Sequence, residues 1–207
     1  MRHADLASGA ARLLLVAGFS IGLMVSCGEA LLSLLLPLLR EVIASLAPDF
    51  VVENLRIANL GADRVLRLDI ANRYHLHLGG KLLGPGRSIN TSINIMAPLL
   101  PVAAGLVTIL VWPGHWRQLP WRLGCLALLL LPVLLLDAPV VLVALVWDFW
   151  NYNLNPSQLS PWTLWMQFMT RGGRPALGIA CACAAVYLAP LCSARFRNAS
   201  LGGRAAG

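Results

Sequence analysis

The sequence predicts a mainly α integral membrane protein, with four transmembrane helices and a small antiparallel β segment outside the membrane between the first and second. Three observations carry that prediction. Hydrophobic residues make up 58% of the 207-residue chain and charged residues only 12%, far from the roughly 25% charged usage of a soluble domain. Four apolar runs approach or exceed the roughly 20 helical residues that a bilayer core requires. Between the first two runs the hydropathy pattern changes to period two, that of a strand with one buried face.

The runs lie near 12–38, 96–113, 122–147 and 175–192. They divide the chain into 1–38 (N-terminus and first helix), 39–95 (the extracytoplasmic β segment), 96–147 (second and third helices with a short cytoplasmic loop), 148–174 (an outer loop with an interfacial helix) and 175–207 (fourth helix and basic tail). Arg2 and Arg12 precede the first run, Arg117 and Arg122 separate the second from the third, and Arg195, Arg197 and Arg204 follow the fourth. The positive-inside rule then puts both termini in the cytoplasm. Arg171 and Arg174 fall outside and run against that count. Trp112, Trp116 and Trp121 mark one boundary, and Trp147, Trp150, Tyr152, Trp162 and Trp165 the other, as rings that settle at headgroup level do. "LMVSCGEA" is similar to a lipoprotein cleavage box at Cys27, but the apolar run continues through "LLSLLLPLL", which favours an uncleaved helix. The excess of Arg, with Lys81 the one lysine among 16 basic residues, suggests a bacterial chain, and hence a bacterial inner membrane.

In the β segment, "FVVENLRIAN" alternates weakly and "LGAD" offers a turn. The stretch 66–78, "LRLDIANRYHLHL", then puts Leu66, Leu68, Ile70, Tyr74, Leu76 and Leu78 on one face and Arg67, Asp69, Arg73, His75 and His77 on the other. Glycines at 79, 80, 84 and 86 punctuate the chain before "SINTSINI" alternates again. Three or four antiparallel strands are expected. A sheet built from so few residues cannot cover its own apolar face, so the helix ends, the membrane surface or a partner must do so. The polar face of Arg67, Asp69, Arg73, His75 and His77 is the candidate docking surface. His75 and His77 offer two metal ligands, but no third arrives at a recognised spacing and the two arginines oppose a cation, so no metal or other cofactor is expected. Further on, Ser160 as N-cap and Pro161 at the first helical position predict a helix over 161–170 with Trp162, Trp165, Phe168 and Met169 on a broad apolar side.

Glu29 in the first run and Asp137 in the third are the buried ionisable candidates. A carboxylate at membrane depth is costly unless paired, hydrated or protonated. No Arg, Lys or His lies in the middle of any run, so an ionised acid needs a counter-charge from another chain; a protonated one can bond a backbone carbonyl freed by Pro132 or Pro139. Small residues in "ALGIACACAA" and "AAGL" permit close helix approach. The five cysteines, Cys27, Cys125, Cys181, Cys183 and Cys192, form neither a disulfide framework nor a metal-finger spacing. The net charge of +7 comes without a basic cluster interleaved with aromatics, which argues against nucleic acid. A phosphate loop is missing, and no nucleophile lies beside a base in sequence.

A long first helix, a small outer strand segment and "SINIMAPLLPVAAGLV" as a proline-bearing helix start are followed by the Arg/Trp turn "WPGHWRQLPWR", a third helix, an aromatic outer loop and a final helix. In order and topology this layout resembles exosortase H-associated membrane proteins. The resemblance implies a non-enzymatic accessory component of an envelope protein-sorting or surface-polysaccharide assembly system, partnered in the bilayer by another integral membrane protein such as an exosortase. Two alternatives stay open: a membrane peptidase or transferase using Cys181 or Cys183 with His75 or His77, and a proton- or ion-coupled transporter component using Glu29 and Asp137.

Overall fold

The computed structural model describes residues 3–78, 81–113, 116–154 and 161–202. They form a mostly helical chain with three helices long and apolar enough to cross a membrane and a three-stranded antiparallel sheet. The first helix, α1 (His3–Leu46), has 44 residues. That is about 66 Å, more than twice the roughly 30 Å of a bilayer core. It continues well past residue 38, because Leu32, Leu35, Leu39 and Ile43 keep the helical spacing and are all buried. Pro48 then disfavours helical backbone at Ala47 and ends it.

The strands follow as β1 (Phe50–Leu60), β2 (Asp63–Asn72), β3 (Leu76–Leu78), β4 (Lys81–Leu83) and β5 (Ser88–Asn94). Next come α2 (Met96–Val111), a short 3-10 turn, α3 (Leu119–Leu154), α4 (Pro161–Phe168), a π-helical stretch Met169–Gly173 and α5 (Arg174–Gly202). The three candidate spans are Leu13–Leu46, Leu119–Trp150 and Pro161–Ser193. The second apolar run forms only the 16 residues of α2, about 24 Å. The helix expected over 161–170 starts at Pro161 and gives way to the π-helical stretch after Phe168; Ser160, its expected cap, lies outside the described residues.

Contacts divide the chain into two compact units. One gathers residues 25–99 and 134–174, the other residues 1–24, 100–133 and 175–207.

In the first unit the sheet has the order β1-β2-β5, all antiparallel, with β3 and β4 as a separate pair. Cross-strand register puts Val52 opposite Ile70, Leu55 opposite Leu68 and Ile57 opposite Leu66, with a bulge between Val52 and Asn54. Ile89 and Ile93 of β5 pair with Ile70 and Leu66 on the same face, and Leu66, Leu68 and Ile70 are fully buried. That face is the one the alternation predicts. The stretch 66–78, however, is not one strand: β2 ends at Asn72, a link over 73–75 follows, and Leu76 opens β3 in the other sheet. Asn72 causes the break. Its Nδ2 donates to the carbonyls of Tyr74 (3.3 Å) and Gly84 (2.7 Å), while its N–H donates to the Arg87 carbonyl and its own carbonyl accepts from Gly86 N–H. One buried amide thus ties both ends of the 73–87 excursion. In α3, residues 137–144 are buried on every side, the pattern of a helix enclosed by its unit. Near the end of α3, Trp147 meets Phe50 edge-on at 5.5 Å, and Trp150 is buried.

In the second unit, Ile109, Cys125, Leu126, Leu130, Ala182 and Ala185 form the buried core. Gly178, Ala182, Ala185 and Ala189 make a small-residue row on α5, and the three alanines are completely buried. A Cβ on Gly178 would collide with the Pro101 backbone of α2, and one on Gly105 would sit 3.2 Å from the Gly178 carbonyl oxygen. The close approach expected from "AAGL" and "ALGIACACAA" is therefore made between α2 and α5.

Candidate functional site

The chemistry-bearing side chains of residues 25–99 and 134–174 gather around two ion pairs and one sheet face. Asp137, on α3, accepts a hydrogen bond from Arg174 Nε through Oδ2 at 2.8 Å, with both side chains buried. Arg174 reaches it because the helical path breaks just before: Gly172 adopts φ +115° and Arg171 leaves helical geometry. Only glycine takes that φ without strain, and at Gly173 a Cβ would run into the Phe168 ring. "RGGR" is thus a hinge in the chain that restarts a helix with Arg174 as its first residue. Asp137 Oδ1 and Arg174 Nη2 are also buried and have no hydrogen-bond partner among the described residues.

Glu29, on α1, forms an ion pair with Arg64 at the start of β2. Both side chains are about half exposed, at 42% and 54%, so this pair is solvated where the other is sequestered. The expectation that an ionised acid takes its counter-charge from another chain is corrected by these two contacts. Both partners lie outside the apolar runs. Arg64 arrives from the sheet and Arg174 from the margin of the last run, each with a side chain long enough to reach inward.

Of the docking-surface candidates, the structure brings two together. Arg67 Nε donates to Asp69 Oδ1 at 3.0 Å on the outward face of β2, and Arg56, directly across from Arg67 on β1, approaches Asp69 Oδ2 at 3.9 Å. Asp69 thereby offsets two like charges that would repel across the strand pair. Asn90 and Ser92 of β5, opposite Asp69 and Arg67, complete a polar face. Arg73 and His75 do not share it. They are exposed in the link after Asn72, with Arg73 N–H donating to the Asp49 carbonyl. His77 lies in β3, outside this sheet; its side chain lies outside the description.

Among the described residues no three His, Cys, Asp or Glu side chains converge as a metal site. Cys125 and Cys192 bring their sulfurs to 3.9 Å, and the Cys181 thiol donates to the Leu129 carbonyl at 4.0 Å. Three roles go unmarked in the sequence: Arg64 and Arg174 as counter-charges, and Asn72 at the strand break. For Asn72 a signal existed, because period two places this polar residue on the apolar face beside Ile70. Comparison of the chain with models of protein families, with curated proteins and with solved structures finds no match, so its site is described by its own geometry alone.

Proposed function

We propose that the chain is a four-span protein of a bacterial inner membrane, with both termini cytoplasmic. It acts as a non-enzymatic accessory component of an envelope protein-sorting system of the exosortase type, or of a surface-polysaccharide assembly system. Its sheet is presented outside the membrane to a partner integral membrane protein. The observation that carries this reading is the pairing of Glu29 and Asp137 with arginines of the same chain. A carboxylate that couples transport must exchange its proton or ion, and an arginine of the same chain that favours its charged form opposes that exchange. Function then falls to the outward face of Arg56, Arg67, Asp69, Asn90 and Ser92, whose mixed charge suits a polar protein surface. The short α2 serves as the remaining span, with mismatch taken up by local thinning of the bilayer and by Trp112 at the interface.

The test is photo-crosslinking in intact membranes from a photoreactive residue at Ser92, opposite Arg67 on the same face. One distinct membrane protein should be captured, and the double reversal Arg56→Glu/Arg67→Glu should reduce capture severalfold. Products formed only within the chain, or with copies of itself, would overturn the reading.

A further inference from the structure

β5 is an edge of the sheet: the order is β1-β2-β5, and among the described residues no strand pairs on its far side. It contains no charged residue and no proline, the devices that usually guard such an edge, whereas the other edge strand, β1, carries Glu53 and Arg56. Its unused backbone groups can be assigned. Asn72 N–H donates to the Arg87 carbonyl and Ile95 N–H to the Arg64 carbonyl, at the two ends of the β2–β5 register. Antiparallel alternation between those ends gives β2 the N–H and C=O groups of Ile89, Thr91 and Ile93, and leaves those of Ser88, Asn90, Ser92 and Asn94 on the open side. We infer that this edge binds the β5 edge of a second copy of the chain, antiparallel and about a two-fold axis at Thr91.

The strand is its own complement in that register. With Thr91 on the axis, Ser88 meets Asn94 of the second copy, Ile89 meets Ile93 and Asn90 meets Ser92. The four residues with free backbone groups thus face one another and exchange ladder bonds. The isoleucines extend the apolar face of the sheet across the axis, and Ser and Asn pair on the polar face with no like charges opposed. No other symmetric register uses all seven residues of β5. Thr91 supplies an independent sign: its Oγ1 is shielded from solvent and lacks a hydrogen-bond partner among the described residues, an uncommon state for a hydroxyl. On the axis Thr91 forms a non-hydrogen-bonded pair, the position at which opposed strands bring their side chains closest, and a turn about χ1 lets one hydroxyl donate to the other.

A two-fold normal to the sheet maps each face onto itself, so the apolar faces of both copies stay on one side, as two chains inserted in the same direction in one membrane require. Only this point rests on the membrane insertion proposed above. The pairing asks nothing of a partner on the polar face. It also stops at two copies, because the isologous contact uses the β5 edge of each.

The experiment uses the full chain in mild detergent, where native mass spectrometry of the wild type should show a dimer. With the five cysteines replaced by serine, Thr91→Cys should give a disulfide-linked dimer under mild oxidation, because the opposed Cα atoms of a non-hydrogen-bonded pair, about 4.5 Å apart, lie within disulfide range. Ser88→Cys, whose counterpart lies at the far end of the paired strands, should give none. Asn90→Glu/Ser92→Glu sets like charges opposite each other and should weaken the dimer about tenfold, as should Asn90→Lys/Ser92→Lys. Mixing the two variants should restore it as a heterodimer, an outcome that a folding defect in either chain does not give. A monomeric wild type, equal crosslinking from Ser88→Cys and Thr91→Cys, or no recovery on mixing overturns the inference. A different membrane protein crosslinked to Thr91→Cys before extraction assigns the edge to that protein's strand and overturns it too.

Discussion

At Asp137 and Arg174 a single contact decides how two charges survive in an apolar interior. Such a pair adds little net stability over well-packed hydrophobic residues, because desolvation offsets most of the attraction, but removing one partner strands the other. Asp137→Asn should therefore destabilise the protein by about 3–5 kcal/mol, and the double replacement Asp137→Leu/Arg174→Met should recover most of it; thermal unfolding in detergent measures both. If Asp137→Asn unfolds like wild type, the pair is not a structural element. The sequence made Glu29 and Asp137 visible as charges out of place, since their neighbours are apolar. Their partners were invisible because Arg64 and Arg174 sit far along the chain, in segments whose own composition is ordinary. Asn72 was hidden differently: alternation through Tyr74, Leu76 and Leu78 reads as an unbroken strand, while the hydrogen bonds of its buried side chain and backbone hold the chain where β2 ends.

At the level of elements, periodicity was a faithful guide to faces and a poor one to ends. The apolar side of β2 is the one that alternation assigns, and α2 starts where "NIMAP" predicts. The end of α1 was misplaced because composition turns polar at Arg40 while the buried row of Leu32, Leu35, Leu39 and Ile43 goes on. Small residues were read correctly as contact points, and Gly105 and Gly178 bring α2 and α5 together. The packing of α3 with α5 can be tested through Cys125 and Cys192, whose sulfurs are 3.9 Å apart. An approach of about 2 Å closes a disulfide, so mild oxidation of the detergent-solubilised protein should remove two of the five free thiols. Cys192→Ser should abolish that loss, and a thiol count unchanged in wild type would argue against this helix pairing.

For the whole molecule, composition alone announced a lipid environment, but the division of the chain into two compact units left no trace in it. Each long helix contributes residues to both units, so no linker or change of composition marks the boundary. The number of spans depends on α2, and chemical labelling decides it. In a cysteine-free background, Arg73→Cys should react with an impermeant reagent in intact cells and Arg117→Cys only after permeabilisation. Labelling of both from the same side would mean that α2 does not cross. One feature of the sheet also bears on how whole copies meet. β1 is an edge strand 11 residues long, a length that invites a second copy to extend the ladder. Its first half is guarded: Arg40 Nη2 occupies the Val52 carbonyl at 3.2 Å, and the charged Glu53 stands at the bulge. A neighbouring strand approaching this edge meets a cation on the acceptor it needs and a register that slips by one residue, so edge-to-edge polymerisation is blocked where the strand leaves α1.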